Sequence, residues 1–266
     1  MTVKFGPAGS GTSSIEGLKD VAKLGLDAVE VSFTYGVRMS NAEAKKRGKT
    51  AKEKKIDLSV HAPYYINLAS VEKEKIEASK KRILRSCERA HHLGAKYIVF
   101  HAAFYTKRTK EETYKLVKSA IIEIQKTIKK NKWDVMLAPE ITGKASQFGD
   151  LDELLKLKKE TGCHLTVDFA HLIARNNGVI DYKEVFEKLK PVKHIHAHFS
   201  GIEFTAKGER RHLLTTKQDF LPFLKAIKSS KADITIINER FFKILNDKPC
   251  LPFFKIIATP LIFVEF

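Results

Sequence analysis

Residues 72–101 read EKEKIEASKKRILRSCERAHHLGAKYIVFH, and they contain one complete unit of the fold. The stretch 72–93 is amphipathic and rich in Lys and Glu, as a surface helix is. Gly94 falls where such a helix stops, and 97–101 is a short apolar run that reads as a strand ending on His101. The mixed charges of Glu72, Lys73, Glu74 and Lys75 belong to a solvated helix face. His91 and His92 read as ordinary helix residues.

Outward from this unit the same alternation repeats along the chain. Strands are expected at 3–6, 28–33, 58–61, 97–101, 135–140, 165–168, 194–198 and 234–239. Helices are expected at 14–24, 72–93, 110–130, 151–160, 182–189 and 220–229. Within 110–130, Leu116, Ala120, Ile124 and Ile128 recur every four residues, the signature of one buried stripe. Gly25 and Gly162 punctuate like Gly94. Alternating βα units predict an α/β chain with a parallel sheet, and eight strands in 266 residues predict a closed (β/α)₈ TIM barrel, a single domain over 1–266. The segment 241–266, FFKILNDKPCLPFFKIIATPLIFVEF, is atypical, because it offers no clear amphipathic helix to follow the eighth strand.

The chemistry gathers at the strand ends. His61, His101, Glu140, Asp168 with His171, His198 and Glu239 each close a predicted strand or follow it directly. Barrel active sites are built at the carboxyl ends of the strands, so residues distant in sequence converge there. One His or acid at a strand end is usually an ordinary polar residue, but a run of them along one chain is not. Imidazole with carboxylate suits zinc first, with manganese or iron as alternatives, whereas an all-oxygen set would suit magnesium or calcium. His194, His196 and His198 alternate and share one strand face; His198 is nearest the carboxyl end, and His196 competes with it.

Lys and Arg total 48 against 31 Asp and Glu, a formal charge of +17. This favours a polyanionic partner, nucleic acid ahead of an anionic membrane surface. Cys87, Cys163 and Cys250 are too few and too scattered for a disulfide framework, and the N-terminal MTVKFGPAGSG lacks the apolar run of a signal peptide. The expectation is an intracellular, cytoplasmic protein without a membrane span, acting as a monomer.

The ordered set HAPYYINL (61–68), FHAA (100–103), APE (138–140), VDFAH (167–171), HFSG (198–201), ERRH (209–212) and INE (237–239) resembles the endonuclease IV family of abasic-site endonucleases, in an archaeal-type form. The resemblance implies three zinc ions in a TIM barrel that hydrolyses the phosphodiester 5′ to an abasic site in double-stranded DNA during base excision repair. By motif it implies that His61, His101 and Glu140 ligate one ion and that Glu140 bridges to a second. Asp168, His198 and Glu239 complete the second, with Glu239 also a candidate base, and His171 ligates the third. Better-known bacterial members supply an Asp-x-His pair to the third ion; here Glu209 and His212 stand in, at a different spacing. Tyr64 and Tyr65 match a loop that inserts beside the lesion, although Tyr64 could equally pack under that loop, and Arg38 resembles a DNA-contacting arginine. Gly6, Gly9 and Gly11 form a first loop that either approaches a phosphate or serves only the turn. Two other functions are compatible with the sequence: a xylose-isomerase-like sugar isomerase or epimerase with a divalent metal, and a DNA-binding homologue impaired in catalysis.

Overall fold

A computed structural model describes residues 1–9 and 11–239. The strands run β1 (Val3–Pro7), β2 (Ala28–Ser32), β3 (Asp57–His61), β4 (Tyr97–Phe100), β5 (Met136–Pro139), β6 (Thr166–Asp168), β7 (His194–Phe199), β8 (Gly201–Thr205), β9 (Gly208–Leu213) and β10 (Asp233–Asn238). All pair in parallel except β8 and β9, an antiparallel hairpin inserted after β7. Two four-stranded arcs, β1-β10-β7-β6 and β2-β3-β4-β5, form the wall. Isolated parallel bridges Ala8↔Glu30 and Glu140↔Thr166 join the arcs at both edges, so the ring closes as a TIM barrel. The eight expected barrel strands are all present; the expected 241–266 segment lies outside the described residues.

The helices are α1 (Ile15–Lys23), α2 (Asn41–Glu53), α3 (Lys73–Leu93), α4 (Lys110–Lys130), α5 (Leu151–Thr161), α6 (Phe169–Arg175), α7 (Tyr182–Leu189) and α8 (Lys217–Ser230). Their ends are set by local chemistry. Ser14 accepts from the Gly17 amide, and Thr109, Asp150 and Thr216 form reciprocal capping boxes with Glu112, Glu153 and Asp219. Gly94 and Gly162 end α3 and α5 in the left-handed region, with φ of 71° and 72°. On α4 the expected stripe is buried at Ala120, Ile124 and Ile128, joined by Val117 and Ile121, with Leu116 at its margin. Helix α2 was not expected from the sequence. It buries only Ala44 and Ala51 and thus has no apolar stripe to read. It lies close to α3 through Gly48, where a Cβ would stand 2.4 Å from the Leu93 carbonyl oxygen.

The apolar core fills the space between wall and helices. At one side Phe169, Phe199 and Phe223 stack with centroids 4.4 and 4.7 Å apart, and tie α6 and α8 to β7. The barrel lumen is polar by contrast, holding buried Glu30, Ser59, His61, His196 and His198. Among the described residues no helix is long and apolar enough to cross a membrane.

Closure of the wall depends on a close approach of β1 to β2. A Cβ on Gly6 would stand 1.7 Å from the Ala28 carbonyl oxygen, a backbone atom that cannot rotate aside. Gly6→Ala is therefore expected to destabilise the protein by about 3 kcal/mol, at the upper end of overpacking costs. A denaturation midpoint equal to that of the wild type would contradict the tight seam.

Candidate metal centre

At the carboxyl end of the barrel the predicted residues meet. Glu140, just past β5, is fully buried, and its two oxygens face different neighbours. Oε2 lies 3.1 Å from His61 Nε2 and 2.9 Å from His101 Nε2, while Oε1 lies 2.7 Å from His198 Nδ1. Candidate ligand atoms fall into linked groups: His61, His101 and Glu140; Glu140, Asp168, His198 and Glu239; and Asp168, His171 and His212. Glu140 is common to the first two and Asp168 to the last two.

The imidazoles are held ready by their far nitrogens. His61 Nδ1 donates to the Ala62 carbonyl at 2.8 Å and His171 Nδ1 to the Ile141 carbonyl at 2.8 Å. A carbonyl can only accept, so each Nδ1 carries a proton and Nε2 is the nitrogen left to face the centre. His212 Nδ1 lies 2.6 Å from Ser200 Oγ, whose own proton goes to the Gly201 carbonyl, and this gives His212 the same tautomer. His198 is turned the other way: Nδ1 faces Glu140 and Glu239, and Nε2 faces Glu30.

Asp168 has two tasks. Its Oδ1 caps α6 by accepting from the His171 amide at 2.7 Å, which explains the Asp-x-x-His spacing: capping places the histidine three residues on, beside its own cap. Its Oδ2 is buried without a hydrogen-bond donor, 3.4 Å from His171 Nδ1 and 3.9 Å from His198 Nδ1.

The hairpin supplies the remaining pair. Residues three apart on a regular strand point to opposite faces. Here Phe204 pairs with Glu209 and Glu203 with Arg211, so Arg210 is an extra, bulged residue. Glu209 and His212 are thereby opposite Phe204 and Ile202, two residues that share a face. Both reach His171: Glu209 Oε2 at 3.3 Å and His212 Nε2 at 3.1 Å from its Nε2. Arg210 and Arg211 point away and both bind Glu203, the shorter contact being 2.5 Å.

The electrostatics call for positive charge. Burial opposes the imidazolium of His61, but Glu140 beside it lifts the pKa to about 9. His171 and His198 are likewise raised against burial, by Asp168 in the first case and by Glu30 and Glu140 in the second. Burial also works against the charge on Glu239 and Glu209. Even so, His212 and His198 beside the first, and His171 beside the second, hold each pKa at about 2. Asp168 alone is raised, by burial. Glu140 Oε1, Asp168 Oδ2 and His198 Nδ1 are buried without an aligned hydrogen bond although they crowd together. Such orphaned atoms are costly unless something satisfies them, and a divalent cation among them would do so. The donor set, imidazoles and carboxylates without thiolate, fits zinc.

Residues 18–249 match a family described as the xylose isomerase-like TIM barrel. The chain belongs to that family. An uncharacterized protein of Methanocaldococcus jannaschii is 41% identical over 88% of this chain and 90% of its own length. A probable endonuclease 4 of Mesomycoplasma hyopneumoniae is 27% identical over 52% of this chain, which spans 49% of that relative. Two crystal structures superimpose equally, each with a TM-score of 0.66 at 20% identity: endonuclease IV from Thermus thermophilus, covering 88% of this chain and 91% of its own, and a D-psicose 3-epimerase, covering 89% and 84%. Equal likeness to a nuclease and an epimerase establishes the barrel and decides neither chemistry.

Within this xylose isomerase-like barrel the other singled-out residues are placed as follows. Tyr64 and Tyr65 are exposed, at 58% and 63%, on the loop beside the centre. Tyr64 rests its ring 5.6 Å from that of His61 and does not pack beneath the loop; partial burial and Glu239 push its phenol up to about 12. Arg38 is exposed on the loop after β2. Gly6 serves the seam between strands, and Gly9 bonds to the Glu30 carbonyl, so neither is free for a phosphate. His196 lies one layer below His198 and meets Glu30, not the Glu140 group. Glu30 was missed by sequence reasoning. The signal was a carboxylate in the apolar run Ala28-Val29-Glu30-Val31, a position where an unpartnered charge would be expensive.

The bulge makes a prediction. Deleting Arg210 leaves Glu209 and the histidine two residues apart on a regular strand, still on one face, and metal loading is expected to stay within about twofold of wild type. Inserting one residue between Arg211 and His212 turns the imidazole away and is expected to lose about one ion per chain. Metal analysis of both purified variants checks this; loss of metal on the deletion with retention on the insertion would contradict the role given to Arg210.

Proposed function

We propose that this protein is an archaeal-type endonuclease IV, a zinc-dependent hydrolase that cuts the phosphodiester 5′ to abasic sites in double-stranded DNA. The observation that carries the reading is the chain of candidate ligand groups linked through Glu140 and Asp168. A single-metal sugar isomerase or epimerase has no use for the Asp168, His171 and His212 end of that chain, beside which Glu209 stands. The formal charge of +17 supports a polyanionic substrate over a neutral sugar. The probable endonuclease 4 relative adds support, though from a match to half its length.

In this reading His61, His101 and Glu140 hold one zinc; Glu140, Asp168, His198 and Glu239 a second; and His171, Glu209 and His212 a third. Bound zinc polarises the phosphate and supplies hydroxide near neutral pH. Glu140 is shielded from water, while the Glu239 side chain is 22% exposed at the cavity mouth, within 3.1 Å of both His198 and His212. Glu239 is thus an ionised carboxylate with access to an incoming water, placed between His198 and His212, and it orients that water and receives its proton. Tyr64 and Tyr65 give the cavity an aromatic rim, suited to stacking against a duplex from which the abasic nucleotide has been turned out. Arg38 adds positive charge on a neighbouring loop.

The test is a duplex carrying one abasic analogue. Cleavage on its 5′ side, leaving a 3′-hydroxyl, is expected in the zinc-loaded protein and is expected to vanish with chelator. Glu140→Gln should slow it by about a thousandfold, the several kcal/mol a metal contributes. Ketohexose epimerisation with intact DNA would replace this reading with the sugar-isomerase one; saturated DNA binding without cleavage would replace it with the impaired homologue. The partner is tested separately: log K for undamaged duplex should fall by about 0.9 per phosphate neutralised as log salt rises, and a flat response would remove DNA as the reason for the charge.

A further inference from the structure

We infer that Glu30 is a positioning residue for the metal centre, a buried carboxylate that fixes the tautomer of His198 from beneath. It makes no contact with a substrate and acts through the imidazole. The inference rests on the metal reading of the centre, and not on which substrate is turned over.

His198 differs from the other candidate histidines in the nitrogen it presents. His61, His171 and His212 offer Nε2 and anchor Nδ1 on a carbonyl or on Ser200. His198 offers Nδ1, 2.7 Å from Glu140 Oε1 and 3.1 Å from Glu239 Oε1, because β7 brings it up along the barrel axis. A neutral imidazole that ligates through Nδ1 carries its proton on Nε2, and that proton needs an acceptor inside the barrel. Glu30 Oε1 stands 2.9 Å from Nε2, and the two atoms are buried with no other hydrogen-bond partner, although the contact is not aligned as a hydrogen bond.

The carboxylate is fixed before His198 uses it. Ser59 Oγ, directly across the β2–β3 ladder, donates to Glu30 Oε2 at 2.8 Å, and His196 Nε2 donates to the same oxygen at 3.0 Å. Two donors fill Oε2 and leave Oε1 for His198. The Glu30 backbone is pinned as well, its carbonyl accepting from Gly9 at 3.0 Å where the barrel closes. A rival arrangement, with Glu30, His196 and His198 holding an ion of their own, would need His196 Nε2 and His198 Nε2 both stripped of protons while His198 Nδ1 is also engaged. These three residues do lie close enough to hold an ion, so loss of a further ion with Glu30 is the outcome that separates the two arrangements.

Zinc binding to the full-length protein tests the assignment, by chelator competition with ¹⁵N NMR of the histidine rings. In the zinc-loaded wild type, His198 should show a protonated Nε2 and a metal-bound Nδ1. Glu30→Leu, which keeps the volume but cannot accept, should weaken one zinc by about 10- to 100-fold and leave the others unchanged, the usual effect of removing an outer carboxylate. Glu30→Gln should restore most of that affinity, since its amide oxygen can still face Nε2 while His196 changes tautomer. Melting of the zinc-free protein should fall in Glu30→Leu, because Ser59 and His196 lose their shared acceptor; a purely structural role would loosen every ion together, whereas a positioning role weakens one. Full zinc affinity in Glu30→Leu, an unprotonated His198 Nε2 in wild type, or a further ion lost with Glu30 would each overturn the proposal. Failure to cleave DNA would leave this titration unaffected.

Discussion

Glu140 is withdrawn from water and surrounded by imidazoles, with one oxygen turned to His61 and His101 and the other to His198. A carboxylate in that position cannot be stabilised by solvent, so its charge has to be met by groups the fold delivers from other strands. The delivery is what the barrel provides. His61 closes β3, His101 follows β4, Asp168 closes β6, His198 lies near the end of β7 and Glu239 follows β10, so the register of the parallel wall sets the distances between them. The seam at Glu140 and Thr166 is also one of the two places where the arcs of the wall join. Closure of the barrel and assembly of the centre therefore constrain each other.

Below this layer the barrel interior stays polar at Glu30, Ser59 and His196. Glu30 Oε2 accepts there from both Ser59 and His196. Such a network in a lumen usually filled by branched apolar side chains is affordable only if its orientation is worth keeping. Its upper end meets His198, the histidine whose presented nitrogen differs from the rest. The hairpin β8–β9 plays the corresponding part at the rim, where a single bulged arginine rotates Glu209 and His212 onto one face toward His171.

Much of this was legible in the sequence because the signals were local. Strands of apolar residues, amphipathic helices with glycine stops, and metal-capable residues at strand ends are each written within a few positions. Asp168 and His171 were legible as metal-capable residues at a strand end, whereas the short helix α6 that Asp168 caps was not expected. What escaped was non-local or carried by small residues. Helix α2 buries alanines and uses Gly48 for a close approach, so it has no hydrophobic period. The face shared by Glu209 and His212 depends on a bulge that only pairing with β8 defines. Glu30 is one charge in an apolar run, and its partners lie on β3 and β7. His198 was preferred to His196 for lying nearer the carboxyl end of its strand, and it is His198 that meets Glu140 while His196 meets Glu30.

The central claim is that the centre is built for several cations linked by shared carboxylates, and not for one. Its most direct test is the metal content of the purified full-length protein after zinc loading and removal of loosely bound ions, measured by elemental analysis against protein concentration. The account predicts about three zinc ions per chain. A content of about one ion per chain, unchanged by added zinc, would contradict it and reduce the His171, Glu209 and His212 group to an ordinary polar cluster.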